Sequence, residues 1–473
     1  MVFSRSLFLL YFLPAFLLIY YLLPKSAINV FALLASMFFY AWGAPDFIYV
    51  VIGSILADFY LVQLMNKKTG RQKLYLVSAS VILNIGLLAY FKYANFFIEN
   101  VNEMLGLFNV KHLAWTKVAL PIGISFFSFQ KLTYSVDVYR GVHGPLKRVT
   151  DYALYILMFP QLIAGPIVRF NEIADQIEDR SRNENFNNRI TGFFRFCIGL
   201  AKKVLIANVM GEQVDLIFGA DHYNFSTTTA WLGIIAYAFQ IYFDFSGYSD
   251  MAIGIGRMIG FRFPENFNNP YISQSISEFW RRWHITLGRF MRDYLYIPLG
   301  GSRVSSGRLY FNLWVVFLVS GLWHGAAWNF VIWGGFHGLF LVLDRWFLLK
   351  VLKAIGKIPA ILITFIVSLI GWVFFRAENM DLAFQYLDRM FAFDFNNDDF
   401  SFNSKFLIIL IVGFLFSFWG GFVKIEKWQN HLFAQDKGKS ALITMVVISI
   451  LLFTVSLGSI TSSGFNPFIY FRF

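Results

Sequence analysis

Two histidines stand in stretches whose neighbours could do chemistry. "SEFWRRWHITLGRFMRDYLYIPLGG", Ser277 to Gly301, holds His284 among Arg281, Arg282, Arg289 and Arg292. "SGLWHGAAWNFVIWGGFHG", Ser320 to Gly338, places His324 between Trp323 and Gly325. Imidazole, whose ordinary pKa is near 6.5, can take and return a proton at neutral pH. Guanidinium groups stay charged and offer planar, forked donors that match phosphate. Side by side, these residue types suggest a cytoplasmic mouth where a phosphate-rich ligand docks, with His284 pointing inward. The alternative is that the arginines touch lipid phosphates and His284 is a packed core residue.

Ser275 and Glu278 form an S-x-x-E capping box, which predicts a helix running until Pro298 forbids continuation. On such a helix Arg281, Arg282, Arg289 and Arg292 share one arc of about 100°. Trp280, Trp283, Leu287, Met291 and Tyr294 take the opposite side, with His284 on the apolar half. A helix of this kind suits the membrane plane better than a crossing.

His324 ends one apolar span, and an ionisable residue at membrane depth usually faces a cavity or a partner. Gly321, Gly325, Ala326 and Ala327 let backbones approach closely there. A satisfied structural histidine is the competing reading. His337 is explained by helix packing through Gly334, Gly335 and Gly338.

"FDFSGYSDMAIGIG" carries Asp244 and Asp250 at the end of an apolar run, where carboxylates either orient a histidine, bind a cation or cap a broken helix. "FPQLIAGPIVRF", with Pro160, Gly165, Pro166 and Arg169, reads as a helix break that helps shape a pocket. His112, His143, His222 and His431 sit among polar or loop residues and are expected at the surface. The single cysteine, Cys197, reads as packing, and no metal site is expected. Zincin, α/β-hydrolase and P-loop signatures are absent from the sequence. Gly254, Gly256 and Gly260 miss the dinucleotide-binding spacing by one residue.

The elements that must position these residues are membrane helices. The chain has 473 residues, 57% hydrophobic and only 14% charged, against roughly 25% charged in soluble domains. Apolar runs recur near the ~20 residues a bilayer core requires, at 7–23, 28–42, 47–65, 74–91, 231–245, 309–322, 332–349, 358–375, 406–423 and 442–460. Weaker runs lie within 115–135, 150–168 and 192–218. These predict an all-α, polytopic membrane protein of roughly ten to thirteen spans, organised as one domain over 1–473. The first run is expected to be retained as a span and not removed as a signal peptide.

The net charge of +12 could point to nucleic acid, but in such a chain it marks cytoplasmic loops. Lys67, Lys68, Arg71 and Lys73 place one loop in the cytoplasm and, counting back, the N-terminus outside. Stretches 169–203, 281–308 and 424–439 follow on the cytoplasmic side, and 270–308 forms an amphipathic basic region there. The acidic 392–403 is expected to face out.

"FWRRWHITL" with "DYLYIPLGG", then "GLWHG", preceded by "YFDFSGYSDMAIG" and "FPQLIAGPIVR", resembles the membrane-bound O-acyltransferases, most closely the bacterial alginate O-acetyltransferase branch. The resemblance extends from "MVFSRSLFLLYFLP" through "LPIGISFFSFQKLTYSVDVYRG" to "FIYFRF", nearly the whole chain. It implies a multi-helix bundle enclosing a funnel, with His324 the principal catalytic histidine and His284 its companion. Trp280, Trp323, Asp244 and Asp250 are candidates to line that funnel. It implies no bound cofactor, acetyl-CoA or an acyl carrier as donor substrate and an acceptor outside the cytoplasm. It further implies an SGNH-hydrolase-like extracytoplasmic partner and polysaccharide export machinery, in the bacterial cytoplasmic (inner) membrane. Relatives act on alginate, other exopolysaccharides, peptidoglycan or, with a D-alanyl donor, teichoic acid, so the acceptor stays open. Two rival classes are a proton-coupled exporter, since intramembrane His, Asp and Arg also mark ion pathways, and a scaffold whose histidines are structural.

Overall fold

The computed structural model describes residues 3–220, 223–396, 400–433, 437–465 and 467–469. Among them the secondary structure is helical, with no strand. Among the described residues six helices are long and apolar enough to cross a bilayer: Lys25–Gly43, Pro45–Asn66, Gly70–Leu107, Lys357–Arg376, Ser404–Gly421 and Lys439–Ser462. Each such helix satisfies its backbone internally, as a lipid environment demands. The protein is a multi-pass membrane protein. Of the other apolar runs, 231–245 lies in the long helix Thr227–Met258 and 309–322 in Ser306–His324, which are less uniformly apolar, and several fall in shorter or interrupted elements. The first, for example, is a π turn at Phe8–Phe12 followed by the helix Leu13–Leu22.

The chain divides into two compact units, one of Met1–Asn185 with Ile255–Pro264 and one of Phe186–Gly254 with Glu265–Phe473. The first unit is built around a buried carboxylate. Asp58, fully buried in the helix Ile48–Asn66, accepts hydrogen bonds from Ser80 (2.5 Å), Asn84 (2.9 Å) and the Tyr152 hydroxyl. One side chain thus ties three helices together, because a carboxylate removed from water must be fully hydrogen-bonded. The "FPQLIAGPIVRF" break lies here too. Its short helix Phe159–Leu162 is buried, with the Phe159 ring 5.0 Å from Phe16 and 5.3 Å from Phe12. Arg169 pairs with Glu172 at 2.7 Å to start the helix Phe170–Glu178.

In the second unit, glycines decide how helices meet. A Cβ on Gly199 would lie 2.4 Å from the Gly247 carbonyl, and one on Gly254 2.6 Å from the Gly192 carbonyl. Helices Phe186–Ala201 and Thr227–Met258 therefore touch backbone to backbone. The hairpin of Ser306–His324 and Trp328–Leu343 uses the same device. A Cβ on Gly321 would meet the Phe330 carbonyl at 2.3 Å, and one on Gly334 the Phe317 carbonyl at 2.3 Å. That close approach sets where His324, the last residue of its helix, is presented.

Candidate functional site

The expected continuous helix after Ser275 is broken in the middle, at His284. Its N-terminus follows the expectation: Ser275 Oγ accepts from the Glu278 N–H at 3.1 Å, and Glu278 reaches back to the Gln274 N–H at 2.9 Å. The helix then stops after Arg282, Trp283 is extended, and His284 takes a left-handed conformation (φ 45°, ψ 52°) before a second helix, Ile285–Met291. The break persists because another segment pairs the freed backbone. The Ile285 N–H donates to the Asn266 carbonyl, and the Asn268 N–H to the Arg282 carbonyl, both at 2.9 Å. The four arginines therefore do not share one helix face; two precede the break and two follow it.

The break also fixes the chemistry of His284, which is 1% exposed. Its Nδ1 lies 3.0 Å from Asn266 Oδ1, and the same oxygen faces the Thr286 N–H at 3.3 Å and the Thr286 hydroxyl at 2.9 Å. A backbone N–H can only donate, so the amide atom at this point is the oxygen, and Nδ1 carries the ring proton. The amide nitrogen donates to Ser249 Oγ at 3.0 Å, which locks that orientation. Nε2 keeps its lone pair and has no hydrogen-bond partner among the described residues. Burial pushes the imidazole down to about 3, so the ring is neutral near pH 7.

His284 faces a cavity of about 490 Å³. Arg281, Arg289, Arg292 and Arg345 line it, together with Ser277, Trp280, Tyr296 and Ser320, and no carboxylate lies among its lining residues. The side-chain N–H of Trp280 and the hydroxyl of Tyr296 are buried without a hydrogen-bond partner among the described residues. Asp293 pairs with Arg292 at 2.7 Å and Asp344 lies within electrostatic reach of Arg281, and four guanidiniums against these two carboxylates leave an anion-attracting pocket. Arg345 was not among the residues expected from sequence. It stands in the π turn Asp344–Leu348, and the neighbouring Asp344 accepts the Ser277 N–H at 2.8 Å, which draws that turn against the helix carrying Arg281. Arg282 was expected to join the group and does not. It pairs with Glu278 at 2.9 Å and Glu426 at 3.4 Å, and it does not line the cavity.

His324 is brought beside His284, with ring centroids 6.5 Å apart. Rings surround it: Trp323 at 4.8 Å, Trp333 at 5.1 Å and Phe375 at 5.2 Å. It lines a second, much smaller cavity of about 10 Å³ with Ile241, Phe245, Trp283, Trp333, Trp372, Phe375 and Ile469. Trp372 and Phe375 carried no distinguishing mark in the sequence, because they end an apolar run that reads as an ordinary span.

The remaining candidates separate. Trp280 lines the arginine cavity, whereas Trp323 lies against both histidine rings and lines neither cavity. Asp244 and Asp250 line neither of these two cavities. Asp250 is held by Arg195 at 2.8 Å and Lys202 at 2.7 Å. Asp244 pairs with Lys203 at 3.0 Å and accepts the Ile469 N–H at 2.9 Å. The cations that neutralise them sit 41 to 55 residues earlier in sequence, on the helix Phe186–Ala201 and the π turn that follows it, where no local pattern announces the pairing.

His337 is buried between Trp280 and Trp333, and a Cβ on Gly371 would lie 2.7 Å from its Nε2, in keeping with a packing role. His112 and His431 are exposed. His143 is half-buried and partnered, by Asp175 at 3.1 Å and the Gly144 carbonyl at 2.7 Å. His222 and part of the acidic stretch, residues 397–399, lie outside the described residues. Cys197 is fully buried.

Comparison with known proteins gives a consistent picture. Residues 148–382 match the model of the membrane-bound O-acyltransferase family. The chain is 38% identical to the probable alginate O-acetylase AlgI of Azotobacter vinelandii over the full length of both proteins. It is 43% identical to the probable alginate O-acetylase AlgI of Pseudomonas aeruginosa, covering 83% of this chain and 75% of that one. It is 39% identical to the peptidoglycan O-acetyltransferase of Helicobacter pylori, covering 82% and 80% respectively.

Proposed function

Because the chain belongs to the membrane-bound O-acyltransferase family, we propose that it moves an acetyl group from cytoplasmic acetyl-CoA to the outside of the bacterial inner membrane, for O-acetylation of a polysaccharide such as alginate. The coarser activity, O-acyl transfer by a multi-pass membrane protein, follows from the family itself. The observation that carries the finer reading is the pair of histidine rings 6.5 Å apart. One faces an arginine-lined cavity and the other a small aromatic one. In this reading the reacting carbonyl lies between them.

In this reading the donor's phosphates dock on Arg281, Arg289, Arg292 and Arg345, with the thioester directed toward His284. His324 acts as general base. It takes the proton from an acceptor hydroxyl as that oxygen attacks the thioester carbon; the C–O bond forms, the C–S bond breaks, and the proton passes to the departing thiolate. His284, neutral and with its Nδ1–H held by Asn266, turns a fixed lone pair toward the cavity and helps orient the acceptor by accepting from a neighbouring hydroxyl on it, the reacting hydroxyl's one proton going to His324. The acetyl group then reaches the polymer through an SGNH-hydrolase-like partner acting with the export machinery. Similarity to the Helicobacter pylori protein supports peptidoglycan as the alternative polymer.

The test is His324→Ala in the native host, at membrane abundance equal to wild type, with ester-linked acetyl quantified on each isolated surface polymer. Loss of acetyl from one polymer is expected and identifies the acceptor. Unchanged acetylation of every polymer overturns the role of His324.

A further inference from the structure

The room beside His324 is far smaller than the room beside His284. About 10 Å³ corresponds to one water-sized sphere, enough for a methyl group and little more, against about 490 Å³ on the arginine side. The bulk of a thioester donor fits the larger cavity, and only its acyl end has to enter the smaller.

The walls of the small cavity are aromatic rings in contact with one another. Trp283 lies 4.9 Å from Trp372, Trp372 lies 5.4 Å from Phe375, and Phe375 lies 5.0 Å from Trp333. On its far side Phe375 meets Phe330 at 5.2 Å. Trp333 and Trp372 are at most 1% exposed and Phe375 is 4% exposed. Rings locked in this way cannot recede singly, because each would have to displace a packed neighbour.

We propose that this ring set, with Phe375 and Trp372 as its determining members, limits the transferred acyl group to two carbons. The proposal rests on the reading of His324 as the base at the acyl carbon and adds the residues that choose the acyl group. Ile469 completes the wall, held through its backbone N–H by Asp244. One extra methylene in a tight apolar pocket is worth about 10–200-fold in discrimination. Propionyl transfer is therefore slower than acetyl transfer by about tenfold or more, and butyryl transfer slower again.

The experiment uses native-host membranes, which hold the whole transfer system, from a strain lacking the chromosomal copy and expressing wild type, Phe375→Leu or Phe375→Ala. Acetyl-, propionyl- and butyryl-CoA are supplied in turn, and the ester-linked acyl groups on the polymer are identified by mass spectrometry. Wild type is expected to transfer acetyl at least about tenfold faster than propionyl, and Phe375→Leu to narrow that ratio about tenfold while still transferring acetyl. Equal transfer of all three by wild type overturns the proposal, as does an unchanged ratio in a Phe375→Leu protein that retains acetyl transfer. If neither variant accumulates, the wild-type series alone decides the size limit. Absence of any acyl transfer by wild type, acetyl included, overturns the acetyl-CoA reading on which the proposal stands.

Discussion

Replacing Asn266 with alanine tests whether His284 works through a fixed tautomer. The amide oxygen receives three donors, His284 Nδ1–H at 3.0 Å, the Thr286 N–H at 3.3 Å and the Thr286 hydroxyl at 2.9 Å. The hydroxyl can rotate to another acceptor, but the backbone N–H cannot, and a buried donor left unpaired costs about 1–3 kcal/mol. The bond to the imidazole is neutral and contributes about 0.5–1.5 kcal/mol net, which sets how firmly the ring is held. Its loss lets the proton move to Nε2 and the ring turn, and a 1 Å misplacement at a reacting centre can cost about 100-fold. We therefore expect Asn266→Ala to lower kcat about 10–100-fold with KM for the donor nearly unchanged, since Asn266 does not line the arginine cavity. Asn266→Asp supplies the signature a merely structural residue would not give. A carboxylate at this point favours the imidazolium, so His284, held near 3 in the wild type by burial, titrates at higher pH. The acid-side loss of activity then moves upward in pH. Initial rates of polymer acetylation by native membranes, measured across donor concentration and pH, give both quantities. A wild-type kcat in Asn266→Ala, or a defect confined to KM, refutes the argument, as does an Asn266→Asp pH profile that coincides with wild type.

Two further outcomes follow from distances on the page. Arg345→Gln removes one guanidinium from the anion-attracting cavity, and a charge-assisted hydrogen bond is worth about 1.5–3 kcal/mol; KM for the CoA thioester is expected to rise about tenfold or more, while Arg282→Gln, already committed to Glu278 and Glu426, leaves KM within about twofold. Gly334→Ala drives a Cβ to 2.3 Å from the Phe317 carbonyl, whereas the nearest atom to a Cβ on Gly335 is 3.6 Å away. Gly334→Ala is expected to destabilise by about 1–3 kcal/mol or more and to cut both folded protein and acetylation, with Gly335→Ala neutral or stabilising by up to about 1 kcal/mol; thermal unfolding of the purified proteins compares them.

Some of this site could be read from sequence because its cause is local. Both histidines stood out as ionisable residues in apolar surroundings, and the glycines around His324 announced the tight hairpin that presents it. The Ser275–Glu278 cap lies within four residues and formed where expected. The break at His284 did not show, because the groups that stabilise it come from Asn266 and Asn268, on a separate segment. The same holds for Asp244 and Asp250. Their chemistry is decided by Lys203, Arg195 and Lys202, and a carboxylate in an apolar run reads the same whether it meets a substrate or a lysine. Arg345 and Phe375 escaped notice for a related reason: each lies in an apolar run that reads as an ordinary span, and only the packing of several helices brings one to the arginine-lined cavity and the other to the small aromatic one.

Position 284 sets two conditions on a side chain at once. Its backbone is left-handed, a region that glycine enters freely, that asparagine, aspartate and histidine tolerate, and that most other residues resist by about 1–2 kcal/mol. The conformation and the imidazole called for by the proposed mechanism act as independent sieves, and histidine is the residue that passes through both. A mutational scan of this position would therefore rank substitutions by two overlaid criteria. Alanine there reports strain and lost chemistry together, and asparagine, which keeps the backbone and removes the ring, is the substitution whose phenotype isolates the imidazole.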